Sequence, residues 1–165
     1  VLLAALIGHG VSQTAPKQAA QTAPRQAARA QQGTAKPNAG AEQILFDAVN
    51  RERRAKNLRA LAWSPQLATA ARGHARRMAR ENRISHQFAG QADFASRIRS
   101  TGFRFRGVAE NVAQGPDAAG IHRQWMNSPP HRANIMDPEM DSMGIGVAER
   151  QGQIFAVQDF GQRAE

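Results

Sequence analysis

Between Ala41 and Asn57, apolar residues Ile44, Leu45, Ala48 and Val49 recur at helical spacing ahead of a charged end, which predicts a first helix. Leu58–Trp63 is a short apolar connector, and Ser64-Pro65 after it is a helix-start signal, a capping hydroxyl followed by proline at the first helical position. The helix predicted from Pro65 to about Asn82 has two sides. Leu67, Ala71, His74, Ala75 and Met78 fall on one, while Arg72, Arg76, Arg80 and Arg83 run down the other. Shorter helices are predicted over Asp93–Thr101, closed by Gly102, and over Asp117–Asn127, where Ile121 and Trp125 stand four apart. Phe103–Arg106 alternates briefly. The best strands are Met143–Ala148 and Gln153–Phe160, joined by a glycine-containing turn at Arg150–Gln153. Helices first and a strand pair last predict an α+β fold with helices covering a small antiparallel sheet.

One stretch resists this pattern. In Trp125–Met136, WMNSPPHRANIM, two prolines stand directly before His131. Proline fixes φ and biases the residue before it away from helix. The helix carrying Trp125 is therefore expected to stop near Asn127, and His131 to follow a stiff connection that sets its direction.

Upstream of Ala41 the pattern changes. Residues 1–11, VLLAALIGHGV, form an apolar run too short to span a bilayer and of the length of a signal-peptide core, so we expect an exported protein. Residues 12–40 consist almost wholly of Ala, Gln, Thr, Pro, Lys and Arg, and QTAPKQAA is duplicated as QTAPRQAA. Such a segment cannot bury enough apolar surface to offset its ordering entropy, so it is expected to be a disordered linker, leaving 41–165 as the domain. The chain has no cysteine, which excludes disulfides, thiolate catalysis and Cys-based zinc sites.

The net charge of +9 includes Lys17, Arg25, Arg29 and Lys36 of the tail, which holds none of the acids. A basic exported domain suits anionic envelope polymers or lipid head groups. The dispersed arginines and the absence of tyrosine and of nucleic-acid motifs give no reason to expect a nucleic-acid partner.

Candidate chemistry lies in four places: Ser85-His86, Glu110 within Ala109–Val112, His122, and His131. Two histidines and a carboxylate from separate segments suit an open-coordination metal site. The same three groups also suit a hydrogen-bonded brace in which the carboxylate orients an imidazole. His74, on the apolar side of its helix, reads as a core histidine, and the arginine stripe as a solvated face.

Taken in order, VNRERRAKNLRALAWSPQLATAARGHARRMAR, SH, AENVAQG, WMNSPPHRANIM, MGIGVA and AVQDFG resemble the bacterial branch of the CAP superfamily, whose members carry SCP domains. The resemblance spans about residues 44–161 and implies an α-β-α sandwich with a central cleft in a secreted or envelope protein. It also implies that His86, Glu110 and His131 line that cleft and hold a divalent cation, often zinc. Pro130 stands where the family's histidine motif has glycine. Ser128 stands where eukaryotic members place a second glutamate, so a metal would be held weakly.

Two functions follow as alternatives. One is a non-enzymatic module that binds lipid, an envelope polymer or a protein partner. The other is a metal- or His/Glu-dependent hydrolase, peptidase-like, using Glu110, His86 and His131. Ser128 is a conceivable nucleophile there, although its local role is to end a helix before Pro129.

Overall fold

The computed structural model describes residues 35–164. The two segments upstream, the signal-like run and most of the expected linker, lie outside them. A five-stranded sheet forms the middle layer, built from β1 (Lys36–Pro37), β2 (Ala62–Trp63), β3 (Phe105–Gly115), β4 (Ser142–Arg150) and β5 (Gln153–Arg163). The strand order is β1-β4-β5-β3, antiparallel throughout, and β2 adds in parallel to the start of β4. The helices are α1 (Ala39–Ala55), α2 (Pro65–Glu81), α3 (Phe94–Arg99), α4 (Ala118–Asn127) and α5 (Pro129–Met136).

Strand alternation divides the core. Met143, Ile145, Val147, Ala113, Ala156 and Phe160 face α1, α4 and α5, meeting Leu45, Val49, Ile121, Trp125 and Ile135. Val112, Ala148, Phe155 and Val157 face the other way, against Ala71, Ala75 and Met78 of α2. The result is the expected sandwich, with helices on both faces.

The glycines of MGIGVA set the depth of α2. A Cβ on Gly144 would lie 2.0 Å from the backbone nitrogen of Ala68, and one on Gly146 2.1 Å from that of Arg72. Helix backbone thus rests directly on strand backbone. At the β4–β5 turn, Gln151 and Gly152 both have positive φ, 52° and 72°, the pattern of a type I′ hairpin.

Three expectations need correction. The domain starts before Ala41: Lys36 and Pro37 pair with Glu149 and Ala148, and the Asn38 side chain caps α1 by accepting from the Ala41 amide at 3.0 Å. Ile44 is 54% exposed, so the buried face of α1 runs through Leu45, Ala48 and Val49 instead. The segment after Ser128 is a helix, not an extended connection. Pro129 and Pro130 occupy its first turn, where their fixed φ suits the helix and their missing N–H groups would have had no intrahelical partner.

Candidate functional site

β3 is the outer strand beside β5, and its alternation decides where each candidate group goes. Glu110 pairs with Asp159 and Asn111 with Gln158 across the ladder. Neighbouring residues point to opposite faces, so Glu110 and Asp159 lie in the α2–α3 layer and Asn111 and Gln158 in the α4–α5 layer.

His86 comes to Glu110 from the loop between α2 and α3. That loop begins at Asn82, whose left-handed φ of 50° ends α2. His74, fully buried on α2, donates from Nε2 to the Ser85 carbonyl at 2.6 Å and accepts from Gln91 Nε2 at 3.0 Å. The histidine expected in the core thus anchors the residue beside His86. Burial holds His74 below the usual histidine range, in the neutral form both bonds require.

The Glu110 side chain is only 1% exposed, and both its oxygens are engaged. His86 donates from Nδ1 to Oε1 at 2.9 Å, and this bond raises the His86 pKa above its ordinary value. The Arg97 guanidinium donates from Nη2 to Oε2 in a short charge-assisted bond. Its Nη1 donates to the carbonyls of His86, at 3.0 Å, and Ala92, at 3.1 Å. Burial, and then the adjacent Glu110 charge, push the Asp159 carboxyl well above the usual carboxylate range.

His131 belongs to the other layer. Its carbonyl accepts from Asn111 Nδ2 at 3.1 Å, and Asn134 donates to Asn111 Oδ1 at 2.8 Å. Asn111 also donates to Gln158 Oε1 at 3.2 Å, so one buried amide joins β3, β5 and the first turns of α5. His131 Nδ1 lies 2.9 Å from Ser128 Oγ. Ser128 precedes α5 but leaves its amides without a side-chain cap, because the hydroxyl goes to the imidazole. Burial first, and then His86 nearby, hold His131 below its ordinary pKa.

The structure therefore brings His86 and Glu110 together and sets His131 near them across the β3 edge, without gathering one donor set. Among the described residues, no group of three His, Asp or Glu side chains is placed to hold a metal ion. The three residues, as arranged, do not fit a three-ligand dication, because the carboxylate carries a guanidinium instead. His122 is buried on α4, 3.7 Å from Glu52, and takes no part.

Sequence reasoning missed Arg97 and Asp159. Arg97 sits in a segment rich in arginine, and nothing local marks it as the one turned inward. Asp159 becomes informative only once the β3–β5 register sets it opposite Glu110.

A second feature adjoins α5. Pro129, Arg132, Ala133 and Met136, at helical spacing, form one wall of a cleft of about 550 Å³ closed by Leu58, Met126, Asn127 and Lys56. His131 and Asn134 serve the β3 network, so α5 works on two sides. The cleft is lined by neither His86 nor Glu110.

Residues 46–160 match the cysteine-rich secretory protein family, CAP. Protein YkwD of Bacillus subtilis is 29% identical over 73% of this chain, which spans 47% of that protein. An extracellular SCP-domain protein from Bacillus anthracis superposes with a TM-score of 0.70 at 30% identity, over 75% of this chain and 41% of that one. An outer surface protein of Borrelia burgdorferi shares the fold, with a TM-score of 0.74 at 22% identity over 80% of this chain and 99% of its own. The chain thus spans less than half the length of its Bacillus relatives. Although it has no cysteine, it belongs to the cysteine-rich secretory protein (CAP) family.

Proposed function

We propose that this CAP domain is an extracytoplasmic binding module for an amphiphile with a long apolar chain and an anionic head. The observation that carries this reading is the cleft beside α5. Its walls, Leu58, Met126, Pro129, Ala133 and Met136, are apolar, and methionine adapts to irregular chains. Its two charges, Lys56 and Arg132, are both exposed and positive, and neither has an ion-pair partner among the described residues. A carboxylate or phosphate head at that rim would gain two cations while its chain leaves water. An exported setting is supported by the signal-like run of residues 1–11 and by relatives described as extracellular or outer-surface proteins. No helix among the described residues is long and apolar enough to cross a membrane.

Titrating a fluorescent long-chain carboxylate into the protein tests this. Saturable binding should be abolished by Ala133→Trp, which fills the cleft, and weakened by Arg132→Glu. Binding untouched by Ala133→Trp, or no binding at all, would sink the reading.

The hydrolase alternative has one observation in its favour, the 2.9 Å pair of Ser128 and His131. Two features weigh against it. The positions after Ser128 are prolines, so the amides that would otherwise point at an oxyanion are missing. Glu110, the candidate base, has both oxygens occupied.

A further inference from the structure

A buried carboxylate that stays ionised needs a positive partner. Here the partner is identifiable. Arg97 is 10% exposed and Glu110 1% exposed, and the guanidinium is fixed by the carboxylate and by the carbonyls of His86 and Ala92. The loop that carries His86 is thus tied to Arg97 as well as to Glu110. In both His86 and His131 the Nδ1 atom is engaged, by Glu110 and by Ser128 respectively, which leaves Nε2 as the nitrogen a metal could use.

We infer that Arg97 is the resident cation of the His86–Glu110 site, occupying the carboxylate that a divalent metal would otherwise use, so that the site is closed to zinc until Arg97 is removed. Three features support this. Arg97 takes one oxygen of Glu110 and His86 Nδ1 takes the other, so a metal would have to displace one of them. An incoming dication would also meet a guanidinium that cannot be deprotonated and so cannot relieve the repulsion. Finally, Ser128 stands where the resemblance places a second glutamate, so that position supplies no carboxylate.

The test is calorimetric titration of zinc into the tag-free protein near neutral pH, with thermal melts alongside. Wild type and Arg97→Lys, which keeps the charge, should show no saturable one-to-one binding. Arg97→Gln retains a donor for the nearby carbonyls but frees Glu110. It should gain one saturable zinc site that wild type lacks, an increase in affinity of about ten- to a hundredfold, the scale of changes to a ligand's own partner. Adding His86→Ala or Glu110→Gln should remove that site. If Arg97→Gln does not fold alone, zinc should restore its circular dichroism and melting transition. Wild-type binding that Glu110→Gln abolishes would overturn the inference. So would an Arg97→Gln protein that neither binds zinc when folded nor recovers with it when unfolded.

Discussion

The residues most decisive for this molecule are arginines buried as structural cross-links. Arg53 has no exposed surface and donates to the carbonyls of Arg59, Ile135 and Asp137, each at 2.8 Å, and of Met140 at 3.3 Å. It ties the end of α1 to the end of α5, and burial lowers its pKa. Arg53→Met keeps much of the volume but strands those carbonyls, so urea melts should show a loss of roughly 3 kcal/mol or more. A loss under about 1 kcal/mol would mean that water replaces the guanidinium. Trp125 is likewise fully buried, with Nε1 donating to the Val112 carbonyl at 3.3 Å, whereas Trp63 is half-buried against Phe46 at 5.4 Å. Trp125→Ala should therefore cost about 3–5 kcal/mol and Trp63→Ala distinctly less. Equal losses would contradict this ranking. At this scale the sequence was legible where a residue is rare. His86, Glu110, His131 and both tryptophans stand out by type, but Arg53 and Arg97 are each one arginine among many. Only three-dimensional packing separates a buried guanidinium from a solvated one.

Helix and strand assignments were legible wherever period and punctuation agreed, as for α1, α2, α4 and the β4–β5 hairpin. They failed where a polar residue sits in a strand interior or where proline is read only as a breaker. β3 carries Glu110 and Asn111 at its centre because both are satisfied by side chains on opposite layers, which no window of residues 105–115 reveals. In α5, the prolines begin a helix that Ser128 precedes, and the spacing of Pro129, Arg132, Ala133 and Met136 becomes meaningful once the cleft is seen. The elements also make opposite predictions for two glycines. Gly146→Ala would push a methyl group into the backbone of α2 at Ala71 and Arg72, so we expect a folded yield too low to purify or a loss of several kcal/mol. Gly73→Ala, inside α2, meets nothing within 4 Å and should stabilise the protein by about 0.5–1 kcal/mol. Thermal melts of the two variants decide it, and a destabilised Gly73→Ala would reveal an unseen constraint on α2. At the N-terminal boundary, removing residues 1–34 should leave the melting temperature near wild type, on their composition alone. Removing residues 35–40 as well also deletes the Asn38 cap, worth about 1 kcal/mol, and the β1 ladder. Identical melting of the two truncations would place the boundary back at Ala41.

For the whole molecule, a sheet sealed by helices on both faces also seals in titratable groups, and these pull stability in opposite directions with pH. His74, His122 and His131 are all held below the ordinary histidine pKa, with burial the largest cause in each. As pH falls below about 6.5, the unfolded chain takes up protons there that the folded chain refuses, so each of the three destabilises the fold progressively. Asp159 and His86 act the other way. Their folded pKa values are raised, so their contributions are largest at low pH and are lost as pH rises through those values. The raw pH profile of stability is therefore a difference of opposing slopes and does not identify any single group. A variant comparison does. Neither ring nitrogen of His122 has a hydrogen-bond partner, and its nearest charge, on Glu52, is 3.7 Å away. His122→Leu removes this proton acceptor without stranding a donor. Measured by urea melts from about pH 7.5 to 5, the stability of His122→Leu relative to wild type should rise as pH falls. The slope cannot exceed about 1.4 kcal/mol per pH unit, the limit for a single proton. If the two proteins instead keep a constant stability difference across that range, His122 is protonated equally in both states and the sealed environment of α4 is not what sets its charge.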